Sequence, residues 1–198
     1  IKNIKDKISS FGDFKVTQKQ SRIWIVPENN NAINKKTLSA AEEDSISNSF
    51  GNKINPEAVM EEVLDVFGLV SASIAWKIKK DWDYILEGGL RYTKNLMEKN
   101  PKYKTFKVEG RRSDKNFPLS SPEICEMLGG WLLEKIEGLE VDVHNPDFIL
   151  TVEIRDEAYI YSGKKSGFRG LPVGTAGRGM LLLSGGIDSP VAGFMMSS

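Results

Sequence analysis

Met180-Leu181-Leu182-Leu183-Ser184-Gly185-Gly186-Ile187-Asp188-Ser189-Pro190-Val191-Ala192-Gly193 is the stretch that decides how the chain is read. The apolar run Met180 to Leu183 reads as a buried strand. A tight Ser-Gly-Gly-x-Asp-Ser loop follows, and Val191 to Met196 has the pattern of the first turns of a helix. Strand, glycine loop and helix N-terminus together form an anion-binding geometry. Glycines let the backbone approach a phosphate, unpaired N–H groups point at it, and the helix dipole favours its charge. A plain Gly-Gly turn with a capping Asp188 or Ser189 is the alternative. One strand and one turn of helix do not make a domain, so the loop is expected to open a domain that continues past Ser198.

The sequence around this loop is that of a soluble globular protein, long enough for one or two domains. Hydrophobic residues are 40% of its 198 residues and charged ones 27%, with a formal net charge of +0. Global charge therefore gives no case for a polyanionic partner, and any such case rests on local clustering. The one cysteine, Cys125, forms no internal disulfide and suits a reducing compartment such as the cytoplasm. Its neighbours Ile124, Met127 and Leu128 mark a helix face, which favours a buried structural thiol over a reactive one. No apolar run reaches membrane-span length, and no signal-peptide pattern opens the chain. The chain begins at Ile1 inside a helix-like segment, so residues before it are expected.

Periodicity gives the elements in order. Ile1, Ile4, Ile8 and Phe11 recur at helical spacing up to Gly12; Phe14–Val16 and Arg22–Val26 read as strands. Residues 28–53 are polar and turn-forming, and read as a flexible insertion with a short helix near Leu38 to Glu43. Asn55-Pro56 starts a helix closed by Gly68, and Val70 to Ile78 reads as one strand. With a strand before Ile1, this pattern fits a small ferredoxin-like sheet with helices on one face. A longer helix follows from Asp81, then a strand from Thr105 to Glu109 leading into Gly110-Arg111-Arg112-Ser113-Asp114-Lys115. A helix capped just before Pro122 runs to about Ile136. Glu140–Val143, Phe148–Ile154 and Ala158–Tyr161 are further strands, and Ser162 to Gly179 is a glycine-rich basic connector.

Two clusters carry positive charge. Arg91, Lys94, Lys99, Lys102, Lys104, Lys107, Arg111, Arg112 and Lys115 stand among few acids. Lys164, Lys165, Arg169 and Arg178 follow, with no acid between Glu157 and Asp188. Segregated charge of this kind can present a basic face to phosphates, and the planar forks of Arg111 and Arg112 suit them best. Solvated lysines on a helix and loop are the other reading. His144 has no second His or Cys near it and reads as a turn residue before Asn145-Pro146-Asp147; Trp82 and Trp131 read as core anchors. The glycine loop lacks the Lys of a Walker motif, the G-x-S-x-G elbow and the G-x-G-x-x-G fingerprint.

Ser184-Gly185-Gly186-Ile187-Asp188-Ser189-Pro190 resembles the PP-loop of ATP pyrophosphatases, which cleave ATP between the α- and β-phosphates. The run from Phe106 to Ile124 resembles the signature of a THUMP RNA-binding domain; Asn145-Pro146-Asp147, Val152-Glu153-Ile154-Arg155 and Gly170-Leu171-Pro172-Val173-Gly174-Thr175 match as well. THUMP followed by a PP-loop resembles the tRNA 4-thiouridine synthetase (tRNA sulfurtransferase) family. The likeness covers the chain apart from the insertion.

The resemblance implies an α+β architecture. A ferredoxin-like N-terminal domain would span 1–78, a THUMP domain 79–165 and a linker 166–179. Residues 180–198 would hold the first strand and loop of a Rossmann-like PP-loop domain. It implies that the first two domains grip tRNA, with Lys104, Lys107, Arg111, Arg112, Lys115, Lys164, Lys165 and Arg169 as its contacts. It implies ATP and Mg²⁺ as cofactors. Asp188 would be the essential aspartate beside metal and pyrophosphate; Ser184, Gly185, Gly186 and Ser189 would bind phosphate; the backbone of Leu182 and Leu183 would face adenine. It implies adenylation of a uridine oxygen and its replacement by persulfide sulfur from a cysteine desulfurase, and a role in thiamine thiazole synthesis. A homodimer is compatible with it. The family's catalytic lysine and sulfur-carrying cysteines would lie past Ser198, and Cys125 matches neither. Gly167-Phe168-Arg169-Gly170 departs from the family's glycine-richer run. An RNA-binding module of another RNA-modifying enzyme is the first rival, and a PP-loop ligase acting on a small molecule the second.

Overall fold

Strand breaks and helix caps divide the elements between two units. The computed structural model describes residues 1–19, 21–28, 54–175, 177 and 179–197. Most of the expected insertion, including its short helix, lies outside the described residues, as does Arg178. One unit comprises Ile1–Ala72 and Lys164–Ser198; the other is Ser73–Gly163.

In the first unit, α1 (Lys2–Ile8) ends in a 3-10 turn, Ser9–Phe11. β1 (Phe14–Lys19) and β2 (Arg22–Pro27) form an antiparallel hairpin running from Phe14 opposite Pro27 to Lys19 opposite Arg22. Alternation buries Phe14 and Val16 and exposes Lys15 and Thr17. In α2 (Pro56–Leu64), Asn55 Oδ1 accepts from the N–H groups of Glu57 and Ala58 at 3.0 and 3.3 Å. This satisfies two of the amide donors that a helix start leaves without partners. Ile4 and Ile8 of α1, Phe14 and Val16 of β1, and Val59 and Val63 of α2 form one core, so both helices lie on one face of the hairpin.

The sequence predicts a single strand over Val70 to Ile78. Two form instead, in different sheets. β3 (Ser71–Ala72) pairs antiparallel with β9 (Lys165–Ser166), whereas β4 (Ala75–Ile78) pairs with β8 (Ala158–Ser162). The ladder breaks because its partner breaks. Gly163, between β8 and β9, adopts φ +75°, and its carbonyl accepts from Ser73 Oγ at 2.9 Å. The expected connector is thus partly strand, held by long-range pairing that local composition does not encode.

The second unit adds α3 (Trp82–Lys99), β5 (Thr105–Arg112), α4 (Ser121–Lys135), β6 (Glu140–Val141) and β7 (Phe148–Ile154). Its sheet has the order β4-β8-β7-β5-β6, with β5 parallel to β6 and β7 and β8 antiparallel to both its neighbours. Ile85, Phe106, Ile124, Leu128, Leu132, Leu150, Val152 and Ile160 are fully buried between helices and sheet, and Trp82 and Trp131 pack against them as expected. β5 runs on through Arg112 rather than ending at Glu109. The cap of α4 is Ser120, one residue earlier than the proline suggests. Glu123 carboxylate accepts from Ser120 N–H at 2.7 Å, completing a capping box.

β6 covers only Thr105 and Phe106 of β5, leaving the rest of that edge without a strand. α4 supplies acceptors in its place. Gly110 N–H donates to Cys125 Sγ at 3.0 Å and Arg112 N–H to Ser121 Oγ at 3.2 Å. Cys125 is therefore a structural thiol, half-buried rather than enclosed. A Cβ on Gly110 would lie 2.6 Å from the Ser121 carbonyl oxygen and 3.3 Å from Cys125 Sγ. Gly110→Ala is expected to destabilise the protein by about 1–3 kcal/mol through overpacking. Urea unfolding checks this, and a midpoint equal to wild type would refute the close-approach account.

Candidate functional site

The glycine loop lies between an extended segment and α5 (Asp188–Ser197). The helix starts at Asp188, earlier than Val191, because Asp, Ser and Pro all suit a first turn. Met180–Leu183 does not form the expected buried strand. It has no ladder partner among the described residues, and Met180 and Leu182 are 95% and 85% exposed. A strand takes its regularity from neighbours, and none is present here.

Within the loop, Ser184 and Ser189 hydroxyls lie 2.9 Å apart, and Ser184 N–H points to Ser189 Oγ at 3.4 Å. The contact closes the loop across its mouth. Asp188 stands exposed in the first turn of α5. A Cβ on Gly185 would meet nothing within 4 Å, and one on Gly186 only Ser184 Oγ at 3.7 Å. Neither glycine has a positive φ. Packing and backbone conformation here therefore do not require glycine, in contrast to Gly110. What the two glycines provide is unobstructed backbone on the outer side of the loop, which suits the approach of a phosphate chain. Two hydroxyls, open backbone and a helix start fit a nucleotide's phosphates. For Mg²⁺ the loop offers the Asp188 carboxylate. That fits a cation which takes one or two carboxylates and completes its shell with substrate phosphates and water. Among the described residues no group of three or more His, Cys, Asp or Glu side chains gathers into a protein-only metal site.

The basic residues fall into both units. Strand alternation puts Lys107, Glu109 and Arg111 on the sheet face opposite α4, since Phe106 and Gly110 face inward. Arg111 is exposed and lies 3.3 Å from Glu109. Arg112, by contrast, is half-buried, and its Nη1 donates to the carbonyls of Phe117 and Leu119 at 3.2 and 3.4 Å. Its guanidinium ties the loop after β5 back to the strand. Lys80 Nζ meets Asp114 Oδ2 at 2.7 Å and holds the same loop from the start of α3, while Lys115 projects exposed from it. Lys104 sits at the opposite end of β5, roughly 25 Å away at strand rise. These cations thus line one strand rather than forming one cluster.

Lys164 and Arg169 are exposed in the first unit. Lys165 forms an ion pair with Glu61 of α2. The stretch around it holds no acid in sequence, yet an acid arrives from far along the chain. Arg169 adopts φ +62°. This is a left-handed conformation costing a non-glycine residue roughly 1–2 kcal/mol. The backbone on both sides fixes it: Arg169 N–H donates to Leu69 at 3.0 Å, and its carbonyl accepts from Gly68 at 2.6 Å.

Glu153 is a residue that sequence reading passes over. It is 2% exposed, and its carboxylate accepts from Arg155 Nε at 2.5 Å and Tyr161 hydroxyl at 3.2 Å. Alternation in β7 places it with Ile149 and Thr151, on the face opposite the core residues Leu150, Val152 and Ile154, so the strand pattern gave no sign of its burial. His144 is a turn residue, as expected, its N–H donating to Asp142 Oδ1 at 2.8 Å.

Asp147, of the Asn-Pro-Asp turn, clamps the start of β5. Its carboxylate accepts from the N–H groups of Lys104 and Thr105, each at 2.8 Å, and its own N–H donates to Thr105 Oγ1 at 3.0 Å. The bond from Lys104, then that from Thr105, holds the carboxyl below the ordinary aspartate value of 3.8. A lowered folded pKa contributes stability present above the unfolded value and lost as pH falls through the folded one. Asp147→Asn is expected to melt below wild type at neutral pH, with the gap closing as pH drops under about 4. A gap of equal size at neutral and at strongly acidic pH in thermal melts would sink this assignment.

Comparison with known proteins adds a lineage to this geometry. The THUMP domain model matches residues 79–162, and the model described as thiamine biosynthesis protein (ThiI) matches 174–198. A probable tRNA sulfurtransferase of Alkaliphilus oremlandii is 42% identical over 196 residues, covering 99% of this chain and 44% of that protein. One from Acetivibrio thermocellus is 41% identical over 195 residues, covering 98% and 44%. The chain thus spans under half the length of these relatives. A crystal structure of a 4-thiouridine synthetase–RNA complex with bound ATP superposes with TM-score 0.71 at 29% identity, over 99% of this chain and 43% of that one. PH1313 from Pyrococcus horikoshii superposes with TM-score 0.77 at 28% identity, over 98% and 56%.

Proposed function

The chain belongs to the tRNA sulfurtransferase family, and on that premise we propose that the protein carrying it converts a tRNA uridine to 4-thiouridine at the expense of ATP. The observation that carries this reading is the coexistence, in one chain, of a THUMP match at 79–162 and an open Ser-Gly-Gly-Ile-Asp-Ser loop at the start of α5. The ATP-bound, RNA-bound 4-thiouridine synthetase it superposes on supports both ligands. The ThiI match supports a second use of the same sulfur in thiamine thiazole synthesis.

ATP bound with Mg²⁺ supplies an electrophilic α-phosphorus, which makes the uridine C4 oxygen a leaving group. Pyrophosphate would leave as the C4 oxygen is adenylated; the persulfide's outer sulfur would then displace AMP at C4, and a second thiol would release the 4-thiouridine by closing a disulfide with the inner sulfur. The chain's own part is to hold and orient. Ser184 and Ser189 hydroxyls, with the backbone of Gly185 and Gly186, grip phosphate oxygens, and the backbone of Leu182 and Leu183 borders the adenine. Asp188 holds the cation, placing positive charge where negative charge builds as pyrophosphate departs. A cysteine desulfurase delivers the sulfur as persulfide, and the reaction runs in the cytoplasm, where the lone Cys125 stays reduced. Asp188→Ala in the full-length protein is expected to abolish thiolation while leaving tRNA affinity within about twofold, since its role lies with the nucleotide. Thiolation assays alongside filter binding decide it, and retained activity in the variant would overturn the role of Asp188.

For tRNA, Lys104, Lys107, Arg111, Lys115, Lys164, Lys165 and Arg169 contact phosphates, and Arg112 shapes the loop that presents Lys115. Arg111 and Lys115 are therefore cleaner probes than Arg112, whose removal also frees the Phe117 and Leu119 carbonyls. Arg111→Ala with Lys115→Ala is expected to weaken tRNA binding. The slope of log K against log salt should become shallower by about 0.7–0.9 for each phosphate the variant no longer neutralises. An unchanged slope would remove these residues from the interface.

A further inference from the structure

The segment from Lys165 to Val173 is fastened along the first unit before the chain reaches the loop. Lys165 pairs with Glu61, and Gly167 N–H donates to the Val70 carbonyl at 3.0 Å. The Arg169 backbone bonds to Leu69 and Gly68, and Asn3 Nδ2 donates to the Val173 carbonyl at 3.4 Å. At the corner where α2 turns toward β3 stands half-buried Phe67. Phe168 of the fastened segment lies against one side, ring centroids 5.6 Å apart and inclined by 31°. Phe194 of α5 meets Phe67 edge-on, at 6.0 Å and 65°. One residue earlier, a Cβ on Gly193 would fall 2.4 Å from Leu181 Cδ2, so α5 lies hard against the segment that enters the glycine loop. Both flanks of the loop thus pack on each other, and Phe194 meets Phe67.

We propose that Phe67 is a positioning residue for the ATP-dependent step, holding the helix of the phosphate loop in one orientation against the first unit. The inference rests on the sulfurtransferase reading. The role assigned to Phe67 is indirect. It acts through Phe194, less than two helical turns from Asp188, and through Phe168, the neighbour of Arg169. Reacting groups brought in from separate binding elements gain rate only when their mutual orientation is fixed, and a loose joint lowers turnover more than affinity.

The test uses the full-length protein, an unmodified tRNA transcript, ATP, Mg²⁺ and inorganic sulfide as sulfur source. Phe67→Ala is expected to lower kcat about tenfold, the upper range of one edge-to-face aromatic pair. The tRNA dissociation constant should stay within about twofold, and Phe67→Tyr, which keeps the ring, should restore kcat. Phe194→Ala should show the same loss, and the double variant should be no slower than either single one, because both remove one and the same ring pair. Where Phe67→Ala fails to fold, Phe67→Leu keeps apolar volume without the ring and is judged by the same criteria. Wild-type kcat in the variant, additive losses in the double variant, or a fall in tRNA affinity as large as the fall in kcat would each overturn the proposal. An inactive wild-type protein would instead overturn the reaction itself, so the two failures are distinct.

Discussion

The second unit depends on how closely α4 approaches the bare edge of β5. An uncovered strand edge leaves N–H groups without partners and invites pairing with other chains. Here a helix lies close enough for a serine hydroxyl and a cysteine sulfur to take those N–H groups, and only a glycine leaves room for it. The rest follows from that closeness. The end of the strand is pinned by α4, Arg112 folds back on the loop carbonyls, Lys80 secures Asp114, and Arg111 and Lys115 are left facing outward. The stretch from Phe106 to Ile124 is thus a structural lock that also displays charge.

The glycine loop has the opposite character. Nothing among the described residues fills the space beside Gly185, and Gly186 has only the Ser184 hydroxyl near it. That hydroxyl and the one on Ser189 meet each other across the opening. A glycine that packing demands is fixed by the fold, whereas Gly185 leaves its backbone open on one side. The same residue type therefore carries different meanings at Gly110 and at Gly185. Only the surroundings of each distinguish them.

Elements whose cause is local could be read from the sequence. The Asn55-Pro56 start of α2, the helix start beside Pro122, the strand at β1 and the apolar stripe of α3 follow from neighbours within a few residues. The candidate site rests on its residue types, since Ser, Gly, Gly, Asp and Ser in that order carry the phosphate argument by themselves. What escaped was set by partners outside the local pattern. The strand expected over Val70 to Ile78 divides because β8 and β9 divide opposite it. Lys165 has no acid near it in sequence, and its partner Glu61 stands 104 residues away. Arg112 has the character of a phosphate fork until the carbonyls of Phe117 and Leu119 close on its guanidinium. Met180–Leu183 has the composition of a strand and no partner strand among the described residues.

The first unit is discontinuous, leaving at Ala72 and resuming at Lys164 with the whole second unit between. That order imposes a timetable on biosynthesis. When Ser71 and Ala72 leave the ribosome, their partners Lys165 and Ser166 have not been made. At about 5–20 residues per second the wait lasts several seconds or more. The sheet of Ser73–Gly163 needs no later residue, and its last strand, β8, is made just before Lys165, so the two units are completed almost together. The nascent first unit meanwhile has its hairpin and two helices, whose core residues Ile4 to Val63 all lie before the break. Only the final stitch, which also brings in the phosphate loop, comes late. A nascent chain therefore completes its charged THUMP strand before its glycine loop exists.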